Sequence, residues 1–309
     1  MDRPFRLNSE LAAINVMIPQ FDLTDLPRSR AVELQLATGS PPATAGVHIQ
    51  DLEIDGGNGG TIRIRLYRPL QSAVLLPALL YVHGGAFMLG GLHTEEERCE
   101  LYAVRASCVV VQVDYRLAPE HPFPAAFDDV MTALRWAVES SDALGIDVHR
   151  VAIGGNSAGG AIAASVALEC RSPDLPDLIL QLLVNPALDC RRKTASAIRF
   201  TDSPVFTASD NALMWRAYLG EGSAAPDYRA SPSLATDLGG SVPASFWFAE
   251  FDPLRDEGYE YALRLMDAGT SVGIHQYPGT FHGFDSYRMT RLGRRALDDQ
   301  VAALRGAFA

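Results

Sequence analysis

Two glycine-flanked motifs, about 70 residues apart, could together build one active site. The segment Gly155–Gly159 has the form G-x-S-x-G, and His83–Phe87 reads His-Gly-Gly-Ala-Phe. The first motif is typical of a sharp strand-to-helix turn that exposes a serine hydroxyl for attack on a carbonyl carbon. The second offers backbone N–H groups that can bind the negative charge which such an attack creates. We therefore predict that Ser157 is a nucleophile, and that its oxyanion hole is formed by Gly84, Gly85 and Ala158.

The residues around the serine motif support this interpretation. Arg150–Gly154 is a short apolar run rich in β-branched residues, which predicts a buried strand. Ala161–Leu168 predicts a helix packed on a sheet, so Ser157 falls between a strand and a helix. A phosphate-binding loop is the alternative for such a glycine-rich turn, but it would need a lysine after the glycines, and none follows here.

A serine hydroxyl needs a general base, and folds with this turn place the base after an acid in the chain order Ser, Asp or Glu, His. Only His275 and His282 follow Ser157. His275 lies in an alternating run that predicts a strand, whereas His282 lies in the loop beyond it. We predict His282 as the base. His83 stands before the glycines of its loop, and we interpret it as a hydrogen-bonded support for that loop.

The acid that orients the histidine is predicted at the end of another strand. Ala244–Ala249 is an apolar strand run, and Asp252 follows just beyond it. Glu250 and Asp256 are rivals, since Glu250 is closer to the strand and Asp256 opens the next predicted helix. We choose Asp252, whose other role could be to cap that helix.

These loops must be carried by a sheet, and the chain alternates between strand and helix patterns. Alternation of this kind predicts a mostly parallel sheet flanked by helices. The predicted strands are Ile62–Tyr67, Pro77–Val82, Cys108–Val113, Val151–Gly154, Leu178–Val184, Ser245–Ala249 and Val272–Tyr277. The predicted helices include Glu95–Arg105, Ala125–Glu139 and Gly159–Cys170.

Two segments fit poorly in this alternation, and we expect them to form a small helical cap over the serine. They are residues 1 to about 46 and about 191–220, within a single domain of 309 residues. Three aromatic residues near the motifs are predicted to line the substrate site as apolar walls: Phe87, Trp215 and Phe284. Such walls would leave little room for a long acyl chain.

The chain resembles the hormone-sensitive lipase family of α/β-hydrolases, also called the bacterial family IV esterases. The matching segments, in order, are His83–Phe87, Asp114–Ala126, Gly154–Gly160, Asp252–Gly258 and Tyr277–Phe284. The resemblance implies an α/β-hydrolase fold with a cap, and the same triad and oxyanion hole as above. Two residues depart from the family pattern. Ala86 replaces the third glycine of H-G-G-G, and would preserve the hole if its φ stays negative. Asn156 stands where the family often has aspartate.

Composition and charge exclude several classes of function. The net charge of −11 argues against nucleic-acid and anionic-membrane partners. No run reaches the roughly 18 apolar residues of a transmembrane helix, and the polar start of the chain does not resemble a signal peptide. The four cysteines lack C-x-x-C spacing and the seven histidines lack metal-ligand spacing. We therefore expect reduced thiols, a cytoplasmic location, and no metal or cofactor.

The sequence thus predicts a carboxylesterase that acts on small-molecule esters with short- to medium-chain acyl groups through an acyl-enzyme. An amidase or acyltransferase could use the same triad. A non-catalytic ligand-binding relative is a different class, which the presence of all three triad residues disfavours. A homodimer is left open by the sequence.

Overall fold

The computed structural model describes residues 6–37, 44–57, 60–70, 75–220 and 225–309. Their strands form one eight-stranded sheet in the order β1-β2-β4-β3-β5-β6-β7-β8. The strands are β1 Val47–Asp55, β2 Thr61–Pro69, β3 Leu76–Val82, β4 Val109–Asp114, β5 Ile146–Asn156, β6 Leu180–Val184, β7 Ala244–Phe251 and β8 Val272–Phe281. β1 and β2 pair antiparallel, as do β2 and β4. The strands β3 to β8 are all parallel to one another. This confirms the predicted mostly parallel sheet.

Helices cover both faces of the sheet. They are α1 Ser9–Asn15, α2 Leu26–Ala37, α3 Glu96–Ala106, α4 Ala125–Glu139, α5 Ser141–Leu144, α6 Ala158–Glu169, α7 Ala195–Arg199, α8 Ala208–Leu219, α9 Arg255–Asp267 and α10 Arg291–Phe308. α4, α6 and α9 pack on one face, and α3 and α10 pack on the other. The central strands β3 and β6 are therefore buried along their whole length, which explains their continuous apolar sequences.

The pattern of apolar residues explains why two of these helices form where they do. Along α4, the buried residues Phe127, Val130, Met131 and Leu134 recur at helical spacing and face the sheet. α10 begins after Thr290, whose hydroxyl accepts a hydrogen bond from the N–H of Gly293 and so caps the first turn. Its apolar stripe from Leu297 to Phe308 then packs under the sheet.

Strand pairing brings the predicted site loops to one edge of the sheet. In the register of β3 and β5, Val82 pairs with Gly155, so the glycine loop and the serine turn leave the sheet side by side. In the register of β7 and β8, Phe251 pairs with Phe281. Asp252 and His282 are the next residues after this pair. The carboxyl ends of parallel strands meet at one edge, so all these loops converge there.

A buried carboxyl group on α9, that of Glu257, makes the stability of the fold depend on pH. Glu257 is fully buried, and its Oε1 accepts hydrogen bonds from the N–H groups of Leu188 at 2.7 Å and Asp189 at 3.1 Å. Its Oε2 has no hydrogen-bond partner among the described residues. Burial raises the pKa of Glu257 well above its ordinary value of 4.5, more than the two backbone donors lower it. Between pH 4.5 and that raised pKa, the folded protein holds this carboxyl protonated while the unfolded chain ionises it.

We expect Glu257→Gln to stabilise the protein increasingly as pH rises above about 4.5. The unfolded chain ionises Glu257 near that pH while the folded chain does not, so wild-type stability falls with pH until the folded pKa is reached. The glutamine keeps the Oε1 acceptor and cannot ionise. Within that window the difference in unfolding free energy should grow by up to about 1.4 kcal/mol per pH unit.

Urea unfolding of both proteins across the pH range measures this difference. Glu53→Gln is the control, because Glu53 is exposed on β1 and has no hydrogen bond from its side chain among the described residues. A constant difference between Glu257→Gln and the wild type, parallel to the control, would show that Glu257 is ionised in the fold.

Candidate active site

Ser157 lies at the junction of β5 and α6 in a left-handed backbone conformation, with φ 56° and ψ −118°. This conformation is strained for a residue with a Cβ, and close packing around it must hold it. A Cβ on Gly159 would lie 2.2 Å from the carbonyl oxygen of Val82, and one on Gly155 would lie 2.4 Å from the carbonyl of Gly159. Only glycine fits at these two positions, because the turn packs directly against β3.

The structure brings the three predicted triad residues into one hydrogen-bonded chain. His282 Nε2 lies 2.9 Å from Ser157 Oγ, and His282 Nδ1 lies 2.7 Å from Asp252 Oδ2. All three are buried, with exposed fractions of 4% for Ser157, 7% for His282 and 1% for Asp252. Asp252 also accepts a hydrogen bond from the N–H of Leu254 at 2.9 Å, which fixes its carboxylate. The arrangement can move a proton from the serine hydroxyl to the imidazole.

The rivals for the acid and base positions have other contacts. Glu250 Oε2 accepts a hydrogen bond from the N–H of Gly279 at 2.7 Å, and Asp256 pairs with Arg255 at 2.7 Å. His275 lies within β8, and its ring stacks on Trp247 with centroids 4.9 Å apart. The structure therefore places His282 beside the serine and Asp252 beside His282, and it places none of these three residues there.

The electrostatics of the site suit a histidine that becomes charged during turnover. Burial lowers the pKa of His282, but the negative charge and hydrogen bond of Asp252 outweigh this effect, with smaller contributions from Asp285 and Glu95. The pKa of His282 therefore lies above its ordinary value of 6.5. The pair can stabilise an imidazolium while the imidazole remains available as a base above that pKa.

The three predicted oxyanion donors surround the serine. The N–H of Ala158 belongs to the first turn of α6, so it has no acceptor within that helix. Gly84 and Gly85 line the same cavity as Ser157. A Cβ on Gly84 would lie 3.5 Å from Ser157 Cβ, which shows how closely the loop approaches the nucleophile.

Ala86 differs from the expectation that its φ stays negative. Its φ is 54° and that of Phe87 is 59°, so two consecutive residues are left-handed. The cause is a tight turn, in which the carbonyl of Gly85 accepts hydrogen bonds from the N–H groups of Met88 and Leu89 at 2.9 and 2.8 Å. The third glycine of the family motif would adopt this conformation with less strain than alanine.

A second layer of residues supports the glycine loop. His83 is fully buried, its ring stacks on Tyr115 with centroids 4.3 Å apart, and its Nδ1 lies 2.7 Å from the carbonyl oxygen of Gly84. The Tyr115 hydroxyl donates to the carbonyl of His83 at 3.0 Å, and the N–H of Ala118 donates to the carbonyl of Phe87 at 2.9 Å. The matching segment Asp114–Ala126 thus holds the oxyanion loop in place, and His83 has the supporting position that the sequence predicted.

A buried polar network fixes the loop that carries His282. Asp285, three residues further on, pairs with Arg98 at 2.6 Å, and both side chains are 1% exposed. Gln300 from α10 accepts hydrogen bonds from Arg98 at 3.0 Å and from Tyr102 at 2.6 Å. Because this network is buried, it restricts the position of the loop that carries His282 relative to α3 and α10.

A cavity of about 760 Å³ lies beside the triad. This size suits a small organic substrate. Its apolar wall includes residues from both predicted cap segments: Phe21, Leu23, Leu36, Val205 and Phe206. Phe206 packs against His282, with ring centroids 4.9 Å apart.

The three predicted wall residues lie elsewhere, and we correct that prediction. Phe87 is 1% exposed and stacks on Tyr218 with centroids 3.7 Å apart, and Trp215 packs on the same pair. Phe284 is fully buried against Tyr277, on the face of the sheet covered by α3 and α10. None of the three is among the described residues that line the cavity. Each of the three is buried in the core, where it packs against another large aromatic side chain.

Sequence reasoning missed several residues that line the cavity. Phe206 precedes Thr207, whose side chain forms a capping box with Asp210 at the start of α8. That capping pattern could have shown that Phe206 stands at a helix entrance near the site. Glu33 and Glu95 had no such signal, because a charged residue on a helix or before one is usually solvated.

The described residues contain no group of three or more His, Cys, Asp or Glu side chains arranged to hold a metal ion. They also contain no helix that is both long and apolar enough to cross a bilayer.

Comparisons with known proteins agree with this geometry. The family model of the alpha/beta hydrolase fold matches residues 79–286. Esterase LipI of Mycobacterium tuberculosis is 37% identical over 268 residues, which are 86% of this chain and 80% of that protein. Ethyl acetate hydrolase of Pseudomonas putida is 37% identical over 239 residues, 76% of this chain and 75% of that protein.

A solved structure extends the likeness over the whole chain. The structure of a bacterial heroin esterase superposes with a TM-score of 0.95 at 37% identity, covering 99% of this chain and 100% of that one. Relatives named as esterases thus share both the sequence and the fold. The chain therefore belongs to the hormone-sensitive lipase family of α/β-hydrolases, and it is a serine carboxylesterase.

Proposed function

We propose that Ser157, His282 and Asp252 are the catalytic triad of this carboxylesterase. The single observation that supports this assignment is the hydrogen-bonded chain from Ser157 Oγ through both ring nitrogens of His282 to Asp252. Ser157 Oγ attacks the ester carbonyl while His282 Nε2 takes its proton. Asp252 accepts the Nδ1 hydrogen bond, which fixes the tautomer and stabilises the imidazolium.

The reaction then proceeds in two halves. The N–H groups of Gly84, Gly85 and Ala158 bind the oxyanion of the tetrahedral intermediate. As the intermediate collapses, His282 returns the proton to the leaving alkoxide, and an acyl-serine remains. Water, deprotonated by His282, attacks the acyl carbonyl, and collapse of the second intermediate releases the acid and restores the serine hydroxyl.

We infer that the cap is formed by residues 6–37 with 44–46, and by residues 191–220. Residues 1–5 and 38–43 of the segment predicted from sequence lie outside the described residues. Both remaining segments supply cavity walls, Phe21 and Glu33 from the first and Phe206 and Asp210 from the second. Arg30 ties the first segment to the oxyanion loop, because it donates to the carbonyl of Met88 at 2.9 Å. The cytoplasmic location and a homodimer stay predictions from sequence.

The acyl group that this site accepts is proposed to be short. The cavity wall contains carboxylates as well as apolar side chains, among them Glu33 and Glu95. A long alkyl chain bound there would remove water from these groups without offering hydrogen bonds in return, which costs free energy. The related ethyl acetate hydrolase of Pseudomonas putida, whose named substrate has a two-carbon acyl group, supports the same direction.

A series of p-nitrophenyl esters from acetyl to dodecanoyl tests this proposal. We expect the highest kcat/KM between the acetyl and hexanoyl esters, because longer chains must lie against the carboxylates. Ser157→Ala measured in parallel gives the background hydrolysis of each ester. A maximum on the dodecanoyl ester, or a jump in rate when the substrate forms an emulsion, would contradict the proposal and show a lipase.

A further inference from the structure

Glu95, the residue just before α3, has a left-handed backbone conformation, with φ 62° and ψ 21°. This conformation is uncommon for a residue other than glycine, and it persists only where the surrounding structure holds it. Here the preceding residue is fixed, because the carbonyl of Thr94 accepts a hydrogen bond from Gln112 Nε2 at 2.6 Å. The side chain of Glu95 makes no capping hydrogen bond to α3. Its contacts lie on two strands of the sheet instead.

Both oxygen atoms of the Glu95 side chain accept hydrogen bonds inside the protein. Oε1 accepts from Asn156 Nδ2 at 2.5 Å, and Oε2 accepts from the hydroxyl of Tyr81 at 2.7 Å. Arg98 Nε lies 3.9 Å from Oε1. The side chain of Glu95 is 8% exposed, so water competes little for these bonds. Glu95 thus connects the start of α3 to the carboxyl ends of β3 and β5.

Asn156 extends this connection to the groups that attack the ester. It is the last residue of β5 and directly precedes Ser157. A Cβ on Gly84 would lie 3.1 Å from the carbonyl oxygen of Asn156 and 3.5 Å from its Nδ2. The amide that Glu95 holds is therefore packed against the loop of the proposed oxyanion donors. A shift of this amide would change the distance between Ser157 and Gly84.

We propose that Glu95 is a positioning residue for ester hydrolysis, which acts through Asn156 to hold Ser157 and the oxyanion loop at the separation that the attack requires. This inference rests on the proposed function. Misplacing reacting groups by about 1 Å can cost on the order of 10²-fold in rate. The contact also explains why asparagine suits position 156, where the family often has aspartate. An aspartate there would place a second acceptor against Glu95 Oε1.

Exchanging the two side-chain functions tests the link. Asn156→Asp leaves two carboxyl groups at this contact without the amide donor, and at about pH 8.5 they repel each other. We expect kcat on p-nitrophenyl acetate to fall on the order of 10²-fold while KM changes by less than about threefold. Glu95→Gln added to this variant restores one donor and one acceptor in reverse order. The double variant should recover kcat to within about fivefold of the wild type.

A second cycle uses smaller changes and decides the result if Asn156→Asp does not fold. Asn156→Ala removes the same hydrogen bond without adding a charge, and it should lower kcat by about tenfold. Glu95→Gln alone leaves one acceptor oxygen for two donors, so we expect a loss of about three- to tenfold. In the Asn156→Ala background, Glu95→Gln should cause less than about twofold further loss, because the link is already absent.

Unfolding measurements separate positioning from a purely structural role. All values of kcat are expressed per folded enzyme, with the folded fraction taken from urea unfolding curves. Ser165→Ala is the matched control, because Ser165 is fully buried on α6 and donates a hydrogen bond to the carbonyl of Tyr228 at 3.1 Å. Its loss should lower the free energy of unfolding and leave kcat unchanged.

Three results would overturn this inference while the wild type remains an active esterase. The first is a double variant no more active than Asn156→Asp. The second is a lower unfolding free energy in Asn156→Ala with unchanged kcat, which would show a structural role alone. The third is an equal effect of Glu95→Gln in the wild type and in Asn156→Ala, which would show that Glu95 acts independently of Asn156. Activity of Ser157→Ala equal to that of the wild type would overturn the proposed function, and this inference with it.

Discussion

Ser157→Ala is expected to lower kcat on p-nitrophenyl acetate by about 10⁴- to 10⁶-fold, the range found when one residue of a serine triad is replaced. The loss is this large because the alanine cannot form the acyl-enzyme, and only binding and the oxyanion donors remain. The backbone should be little disturbed, since alanine carries the same Cβ as serine in the left-handed turn at φ 56°. Unfolding curves of the variant and the wild type check this.

A covalent label identifies the nucleophile independently of turnover. A serine-directed phosphonate should add one equivalent to the wild type, and peptide mass spectrometry should locate it on Ser157. Ser271→Ala, a change at an exposed serine just before β8, should label fully and serves as the matched control. Labelling that persists in Ser157→Ala would place the nucleophile elsewhere.

The loops that carry the triad were predictable from sequence because their signals are local. A buried strand run followed by a glycine-bounded serine and a helix pattern has few structural solutions. The same holds for His282, whose loop follows the alternating run of β8. Parallel strands then bring their carboxyl ends together, so strand order along the chain was enough to predict that Ser157, Asp252 and His282 lie at one edge.

The missing strand β1 shows where periodicity fails. Its partly buried residues Val47 and Ile49 are two apart, but the next, Leu52, comes three residues later. The inward-facing phase therefore shifts within the strand, and its polar outward residues suit the edge of a sheet. A search for alternating apolar and polar residues does not detect such a strand, which is recognised only by its pairing with β2.

The cavity walls could not be derived from sequence, because they depend on which neighbour each aromatic ring finds. Phe284 follows His282 by two residues, yet it turns to Tyr277 on the other face of the sheet. Trp215 is on the predicted cap helix, yet it packs on Phe87 behind the oxyanion loop. Phe206, at the start of that helix, takes the position beside His282. These choices are made by tertiary packing, which local patterns do not record.

His282→Ala is expected to cost about as much kcat as the loss of Ser157, up to about 10⁶-fold, because the two residues act as a unit. Without the imidazole no group in the triad can accept the serine proton. His275→Ala is the matched control. His275 belongs to β8, its ring stacks on Trp247 of β7, and it has no contact with the triad among the described residues. If His275→Ala were inactive and His282→Ala active, the hydrogen bonds of the site would have been misassigned.

The pH dependence of the wild type should report the same histidine. Only neutral His282 can take the serine proton, so kcat/KM should rise with pH through a pKa above the ordinary value of 6.5. The charge and hydrogen bond of Asp252 raise that pKa against the effect of burial. Asp252→Asn should therefore move the rising limb to lower pH while lowering kcat by about 10⁴-fold through the wrong tautomer. Asp256→Asn, which changes a carboxylate paired with Arg255, should leave the limb in place. A limb that stays above pH 6.5 in Asp252→Asn would mean that another group sets the pKa of the base.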